Sequence, residues 1–115
     1  MAYKVYELTG EYAMSSESGQ KLYDLIHPEL LADNSVELDF SGVNVFASAF
    51  FNFAIGQLLK DISSDDLNRQ LSFTALNTNG HSVLRRVIEN AKRYYSDQQY
   101  REAVDVVLEE YASSF

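Results

Sequence analysis

The sequence predicts an α/β sandwich in which helices cover a central sheet. Segments with the two-residue alternation of strands take turns along the chain with segments of helical period. The length of 115 residues suits one domain with a single core. No linker or low-complexity run interrupts the chain, and no cysteine is present for a disulfide. We therefore expect one domain over residues 1–115 that folds on its hydrophobic core alone.

The first third of the chain predicts two short strands and one helix. Apolar residues lie with strand-like spacing at residues 3–8, and a second short strand is expected at residues 11–14. Ser15 or Ser16 is the expected N-cap of a helix, because a serine oxygen accepts hydrogen bonds from first-turn amides. Pro28 is expected to end that helix.

The middle of the chain predicts a strand, an apolar helix and another strand. Residues 36–40 alternate apolar and polar side chains, as a strand with one buried face does. Residues 43–46 continue as a loop or a strand extension, and helical spacing predicts a helix at about residues 49–61. A polar break at residues 63–66 precedes a strand at residues 71–75. The phenylalanines of this region are expected in the core, namely Phe46, Phe50, Phe51 and Phe53.

The last third of the chain predicts two helices. A turn at residues 77–80 precedes a helix whose apolar side chains continue to Tyr94 or Tyr95. A further helix is expected at about residues 98–112. Tyrosine rings offer contact area with a polar tip, so these helices suit a protein contact. Self-association as a homodimer through the C-terminal helices is therefore one hypothesis for function.

The charge balance argues against nucleic acid as a partner. Seventeen acidic residues against nine basic ones give a net charge of −8, which repels nucleic acid and anionic lipid. No apolar stretch approaches the ~18 residues of a membrane span, and the first residues lack the apolar core of a signal peptide. We therefore expect a cytoplasmic protein without a membrane contact. A local basic cluster is the exception, and it consists of Arg85, Arg86, Lys92 and Arg93.

Motifs of enzymes and metal sites are missing from the sequence. His27 and His81 are the two histidines of a chain without cysteine, so a multi-ligand transition-metal site is not expected. Neither histidine lies near a nucleophile-elbow motif. The sequence contains no Walker-type loop and no Gly-x-Gly-x-x-Gly. We expect a protein that is not an enzyme and that holds no metal and no cofactor.

The most informative segment is residues 36–50, VELDFSGVNVFASAF. It combines a strand, a Ser-Gly turn, a short apolar run and a serine where a helix begins. This pattern resembles the STAS superfamily, named for sulphate transporters and anti-sigma-factor antagonists, and is most similar to STAS-like domains of unknown function. Residues 15–22 and 86–92 also look like that subgroup. The resemblance runs from about residue 12 to 95.

The resemblance implies a fold, a partner and a regulated serine. The implied fold is a STAS-like sandwich with a mostly four-stranded mixed sheet covered by helices, to which residues 98–112 add a helix. In anti-sigma-factor antagonists, the serine that matches Ser48 is phosphorylated by a histidine-kinase-like ATPase of the anti-sigma type. The unphosphorylated form binds that ATPase and the phosphorylated form releases it. The candidate docking residues around Ser48 are Asn44, Ala47, Ala49 and Phe50.

Other interpretations of these residues stay open at this stage. Ser48 on its own is also the N-cap that a helix commonly needs. Asp39, Ser41 and Gly42 are expected to support the loop before Ser48, with the aspartate bonded to the turn and the glycine needed for its backbone geometry. Arg85 and Arg86 are weak candidates for binding an anion, which would suit a sensor of nucleotides or other small ligands.

Overall fold

A computed structural model describes residues 1–96, which contain five α-helices, five short strands and one 3-10 helix. The strands are β1 (Ala2–Lys4), β2 (Tyr12–Ala13), β3 (Val36–Asp39), β4 (Val45–Phe46) and β5 (Leu71–Thr74). The helices are α1 (Tyr6–Thr9), α2 (Ser16–Leu31), α3 (Ser48–Ala54), the 3-10 helix (Gly56–Lys60), α4 (Ser64–Gln70) and α5 (Thr78–Ser96). The helix expected at residues 98–112, and with it the homodimer contact expected there, lies outside the described residues.

The strands form two parallel sheets instead of the expected mostly four-stranded mixed sheet. One sheet has the order β1–β3–β5, and the other pairs β2 with β4. Both pairings of the larger sheet are parallel, with Leu38 opposite Tyr3 on one side and Phe73 on the other. The smaller sheet is parallel too. Its two strands, β2 and β4, span only two residues each.

Within residues 1–96, the larger sheet has one covered face and one open face. Val36, Leu38 and Leu71 are buried on the covered face. Successive side chains of a strand point to opposite faces, so the other face carries the alternate residues. Most of these are exposed, namely Ala2, Lys4, Glu37, Ser72 and Thr74. The sequence therefore predicts the α/β class correctly, and the helices of residues 1–96 cover one face of the sheet.

An aromatic cluster joins the two sheets. The ring centroid of Phe40, just after β3, lies 5.9 Å from that of Phe46 on β4 and 6.0 Å from that of Phe51 on α3. Phe46 and Phe51 stack at 5.6 Å. The expectation that Phe46, Phe50 and Phe51 belong to the core is confirmed. The same expectation is wrong for Phe53, whose side chain is 42% exposed.

Helix α2 begins as expected and ends later than expected. The Ser15 hydroxyl accepts a hydrogen bond from the Ser18 N–H at 3.1 Å, as an N-cap does. Pro28 does not end the helix, which continues for three more residues because its final turn buries Leu30. It ends at Leu31, and Asp33, two residues further on, has a positive φ of 65°.

Helices α2 and α3 approach each other at a glycine. A Cβ atom built on Gly19 would meet the carbonyl oxygen of Phe50, the Cβ of Phe53 at 3.0 Å and the backbone nitrogen of Ala54 at 3.2 Å. Two of these three neighbours are backbone atoms, which a rotamer change cannot move. The glycine therefore allows α2 to hold α3, and with it Ser48, close to the rest of the domain.

Three further elements differ from expectation. The expected strand at residues 3–8 stops at Lys4, because the Val5 carbonyl accepts hydrogen bonds from the N–H groups of Leu8 and Thr9 and starts α1. The expected helix at residues 49–61 is divided into α3 and the 3-10 helix. The polar break is the start of α4, where the Ser63 hydroxyl accepts from the Asp66 N–H at 3.2 Å.

Candidate docking surface

Ser48 lies at the start of α3, with its hydroxyl on the surface. The N-cap position of this helix is Ala47, which has an extended backbone and gives no side-chain cap. Ser48 is therefore the first residue of the helix and not its cap, so the alternative interpretation as an N-cap is wrong. Its side chain is exposed and makes no hydrogen bond within residues 1–96.

Exposed apolar side chains lie on both sides of Ser48. The pairing of β2 with β4 sets Tyr12 opposite Val45, and the Ala47 N–H donates to the Ala13 carbonyl at 3.0 Å. Met14, the next residue, therefore runs alongside the start of α3, and its side chain is 47% exposed. The side chain of Tyr12 is 58% exposed.

On α3 itself, exposed Ala49 and Phe53 are four residues apart and share one helix face. We call the set of Tyr12, Met14, Ser48, Ala49 and Phe53 the Ser48 surface. Its members come from β2, from the residue after it and from α3, and all five are exposed. These neighbouring segments combine an exposed hydroxyl with exposed apolar and aromatic side chains, the composition that favours contact with another protein.

The other candidate docking residues of the sequence divide into exposed and buried ones. Asn44 is exposed, and its amide Nδ2 donates to Glu11 Oε1 at 3.1 Å. The backbone carbonyl of Asn44 accepts a hydrogen bond from the side-chain amide of Asn77 at 3.1 Å, so three segments of the chain meet here. Ala47 is half-buried, and Phe50 is completely buried. The ring of Phe50 cannot touch a partner from this position, so we leave it out of the docking surface.

The loop before Ser48 is held by Asp39. Its Oδ1 accepts hydrogen bonds from the Ser41 hydroxyl at 2.6 Å and from the Ser41 N–H at 2.9 Å. These bonds favour the charged carboxylate, so they hold the pKa of Asp39 below its usual value of 3.8. Gly42 follows with a φ of 84°, and a Cβ there would lie 3.0 Å from the Tyr6 ring. The turn therefore needs both residues in the supporting roles that the sequence suggests.

The lowered pKa of Asp39 predicts how stability depends on pH. A carboxylate whose pKa is lower in the folded state stabilises the fold above its unfolded pKa, and this contribution disappears as pH falls through the folded value. We expect Asp39→Asn to lower the free energy of unfolding at neutral pH. The gap to the wild type should shrink once the pH is below 3.8.

Urea denaturation of both proteins over this pH range measures the effect. The variant Asp65→Asn is the matched control, since it removes one negative charge from an exposed position on α4. A gap between wild type and Asp39→Asn that stays constant with pH would contradict the assigned role of the carboxylate.

Anion binding by Arg85 and Arg86 stays a prediction. Both side chains are exposed on α5. The first-turn N–H of Gly80 donates to Asn77 Oδ1 at 2.7 Å, so this amide is not available to a phosphate. Arg85 lines an open groove together with Lys92 and Glu89, so two basic side chains and one acidic side chain face it.

Two searches of residues 1–96 complete the description of candidate sites. No helix among these residues combines the length and the apolarity of a membrane span. No group of three or more histidine, cysteine, aspartate or glutamate side chains lies close enough there to hold a metal ion. His27 pairs with the carboxylate of Asp61, with Nε2 3.0 Å from Oδ2.

Sequence reasoning missed the apolar members of the Ser48 surface. Residues 12–14 show no alternation of apolar and polar side chains, so the outward position of Tyr12 and Met14 beside buried Ala13 is visible only in the structure. Phe53 was assigned to the core because its neighbours Phe50 and Phe51 belong there. On a helix, however, Phe53 points away from Phe51, and of the three phenylalanines of α3 only Phe50 and Phe51 face the core.

Comparison with known families adds one finding. Residues 18–81, more than half of the chain, match the model of a STAS-like domain of unknown function (DUF4325). The match begins in α2 and ends in the first turns of α5, so it includes α3 and Ser48. No curated protein and no solved structure matches the chain.

Proposed function

The chain belongs to the family of STAS-like domains of unknown function, and we propose that it is a non-enzymatic regulatory module that binds a protein partner through the Ser48 surface. The resemblance to anti-sigma-factor antagonists suggests the partner, a histidine-kinase-like ATPase of the anti-sigma type. In this proposal the unphosphorylated protein binds the ATPase, and phosphorylation of Ser48 releases it.

The observation that carries the proposal is the surroundings of the Ser48 hydroxyl. A kinase needs a hydroxyl that is exposed and not engaged in the fold, and Ser48 meets both conditions. A docking partner needs apolar contact area, which Tyr12, Met14 and Phe53 supply with exposed fractions of 58%, 47% and 42%. Aromatic side chains and methionine are enriched at protein interfaces.

Phosphorylation would change the electrostatics of this surface strongly. A phosphate adds about −1.5 to −2 charges at neutral pH. Exposed carboxylates are already present at Glu11, just before β2, and at Glu17, in the first turn of α2. A partner that buries the apolar side chains would have to desolvate the phosphate beside these like charges, which opposes binding.

Aspartate at position 48 tests the proposal. We expect wild-type protein, used as bait in a native lysate, to retain a histidine-kinase-like ATPase that mass spectrometry identifies. Ser48→Asp should retain at least tenfold less of it, because a charge is added at the centre of the apolar surface. Ser48→Ala should bind like wild type, since it removes the hydroxyl without adding charge.

Asn68→Asp is the matched control for this experiment. It adds the same charge at an exposed position of α4, which packs against β5 and contributes nothing to the Ser48 surface. Equal retention of the ATPase by wild type, Ser48→Asp and Asn68→Asp would contradict the role of Ser48. Retention of no such ATPase by any of the baits would contradict the proposed partner.

A further inference from the structure

Strand β1 is an edge strand with free backbone groups on its outer side. Toward β3, the Met1 carbonyl accepts from the Glu37 N–H at 2.7 Å, and the Val5 N–H donates to the Asp39 carbonyl at 2.9 Å. Odd-numbered residues therefore bond to β3, and the N–H and C=O groups of Ala2 and Lys4 point outward. Within residues 1–96 these groups have no partner. Such an edge is a template for another strand.

We propose that two copies of this chain associate through antiparallel pairing of their β1 strands. With the two-fold axis at Tyr3, Ala2 of each copy lies opposite Lys4 of the other. These two residues carry the outward N–H and C=O groups, so each pair exchanges both of its hydrogen bonds. The two three-stranded sheets then continue into one another, and the copies use the same patch on both sides.

Charge complementarity on the open face of the sheet favours a second copy as the occupant. Ala2 lies opposite Glu37 in the β1–β3 register. In the paired arrangement, Glu37 on β3, Ala2 on β1 and Lys4 on β1 of the second copy therefore lie side by side on three adjacent strands. Adjacent strands lie about 4.8 Å apart. Lys4 can reach Glu37 of the other copy because only a methyl group stands between them.

Lys4 lies opposite Asp39 of its own β3, which feels its charge, and both Lys4 and Glu37 lie on the open side of the sheet. Lys4 and Glu37 are both exposed. Neither forms an ion pair within 4.0 Å in the described part of the chain. Because of the two-fold axis, the Lys4–Glu37 contact occurs twice in the dimer. The charges at this edge are therefore complementary to those of a second copy, although the whole chain carries a net charge of −8.

Apolar side chains support the same pairing on the covered face. Tyr3 is half-buried there, and the two-fold axis sets it opposite Tyr3 of the second copy as a cross-strand aromatic pair. An open groove of about 330 Å³ runs beside β1 and includes Leu8 and Leu25 in its lining. The Leu25 side chain is 43% exposed, and pairing would cover it.

Analytical ultracentrifugation of the wild type and Ala2→Pro tests the inference. Wild type should change with increasing concentration from a 13.1 kDa species toward twice that mass. Ala2→Pro removes an outward N–H and no bond to β3, so it should remain monomeric with an unchanged melting temperature. A wild type that stays monomeric at protein concentrations up to about 1 mM would overturn the inference. Its association free energy would then be weaker than about −4.1 kcal/mol, the value for a dissociation constant of 1 mM. Equal dimerisation of both proteins would place the contact elsewhere and overturn it too.

A charge exchange tests the register of the pairing. Lys4→Glu should weaken the dimer at least tenfold, because it faces Glu37 of the second copy with a like charge. The double variant Lys4→Glu with Glu37→Lys restores opposite charges and should recover the dimer. A double variant that remains as weak as Lys4→Glu would overturn the proposed register. None of these measurements depends on the proposed partner of the Ser48 surface.

Discussion

Replacing Gly19 by alanine is expected to lower the free energy of unfolding by about 3 kcal/mol, near the upper end of the usual effect of overpacking. The added methyl group would meet the Phe50 carbonyl oxygen and the Ala54 backbone nitrogen. Both atoms belong to α3, so relief requires α2 and α3 to move apart. The contact between α2 and α3 is the most extensive contact between two elements of residues 1–96. Moving the two helices apart would therefore also loosen the packing around Phe51.

Gly56→Ala is the matched control, because it makes the same change at another buried glycine. A Cβ at Gly56 would find Val87 Cγ1 at 3.5 Å and Ala91 Cβ at 3.8 Å, which are ordinary contact distances. Alanine also suits helical backbone better than glycine. We expect Gly56→Ala to be neutral or slightly stabilising. Thermal denaturation distinguishes the two variants, because only Gly19→Ala should lower the melting temperature, by more than about 10 °C.

Similar melting temperatures for Gly19→Ala and Gly56→Ala would contradict the close approach of α2 and α3. Partner binding offers a second readout of the same contact. If α2 positions α3, Gly19→Ala should weaken binding of the ATPase even at temperatures where the variant is folded. Circular dichroism at the binding temperature establishes that condition.

Replacing Phe53 by alanine is expected to weaken binding of the partner about 30-fold, or ~2 kcal/mol, without lowering stability by a comparable amount. Buried aromatic anchors commonly contribute this much at the centre of an interface. The Phe53 ring is 42% exposed in the free protein, so its removal leaves no large cavity in the core. Isothermal titration calorimetry with the ATPase measures the change in affinity.

Leu31→Ala is the matched control for Phe53→Ala. The Leu31 side chain is 56% exposed at the last residue of α2, and it does not belong to the Ser48 surface. We expect this variant to bind the partner like wild type. An equal loss of affinity in both variants would contradict the position of the docking surface. Unchanged affinity in both variants would contradict it too.

Sequence reasoning identified the parts of this fold whose signals are local. Ser15 or Ser16 is predicted as the cap from the sequence, and Ser15 makes the capping bond, which joins residues only three apart. The alternation of residues 36–40 gave β3 because its two faces differ in burial. The family resemblance likewise came from a continuous segment, residues 36–50, that lies inside the matched range.

Features that depend on distant contacts were not predictable from local patterns. Pro28 ends a helix in isolation, yet here the last turn is retained because Leu30 is buried by the rest of the domain. The parallel arrangement of the strands depends on which segments meet, which no single segment encodes. The Ser48 surface depends on the two-residue pairing of β2 with β4, a contact between segments more than thirty residues apart.

Direct phosphorylation of the purified protein tests the central claim, that Ser48 switches partner binding. The ATPase identified with the wild-type bait is incubated with the protein and ATP, and the modified residue is located by mass spectrometry. We expect a single phosphate on Ser48, loss of the complex in gel filtration once it is present, and no phosphate on Ser48→Ala. A phosphate on another residue, or a complex that persists with phosphorylated Ser48, would contradict the account.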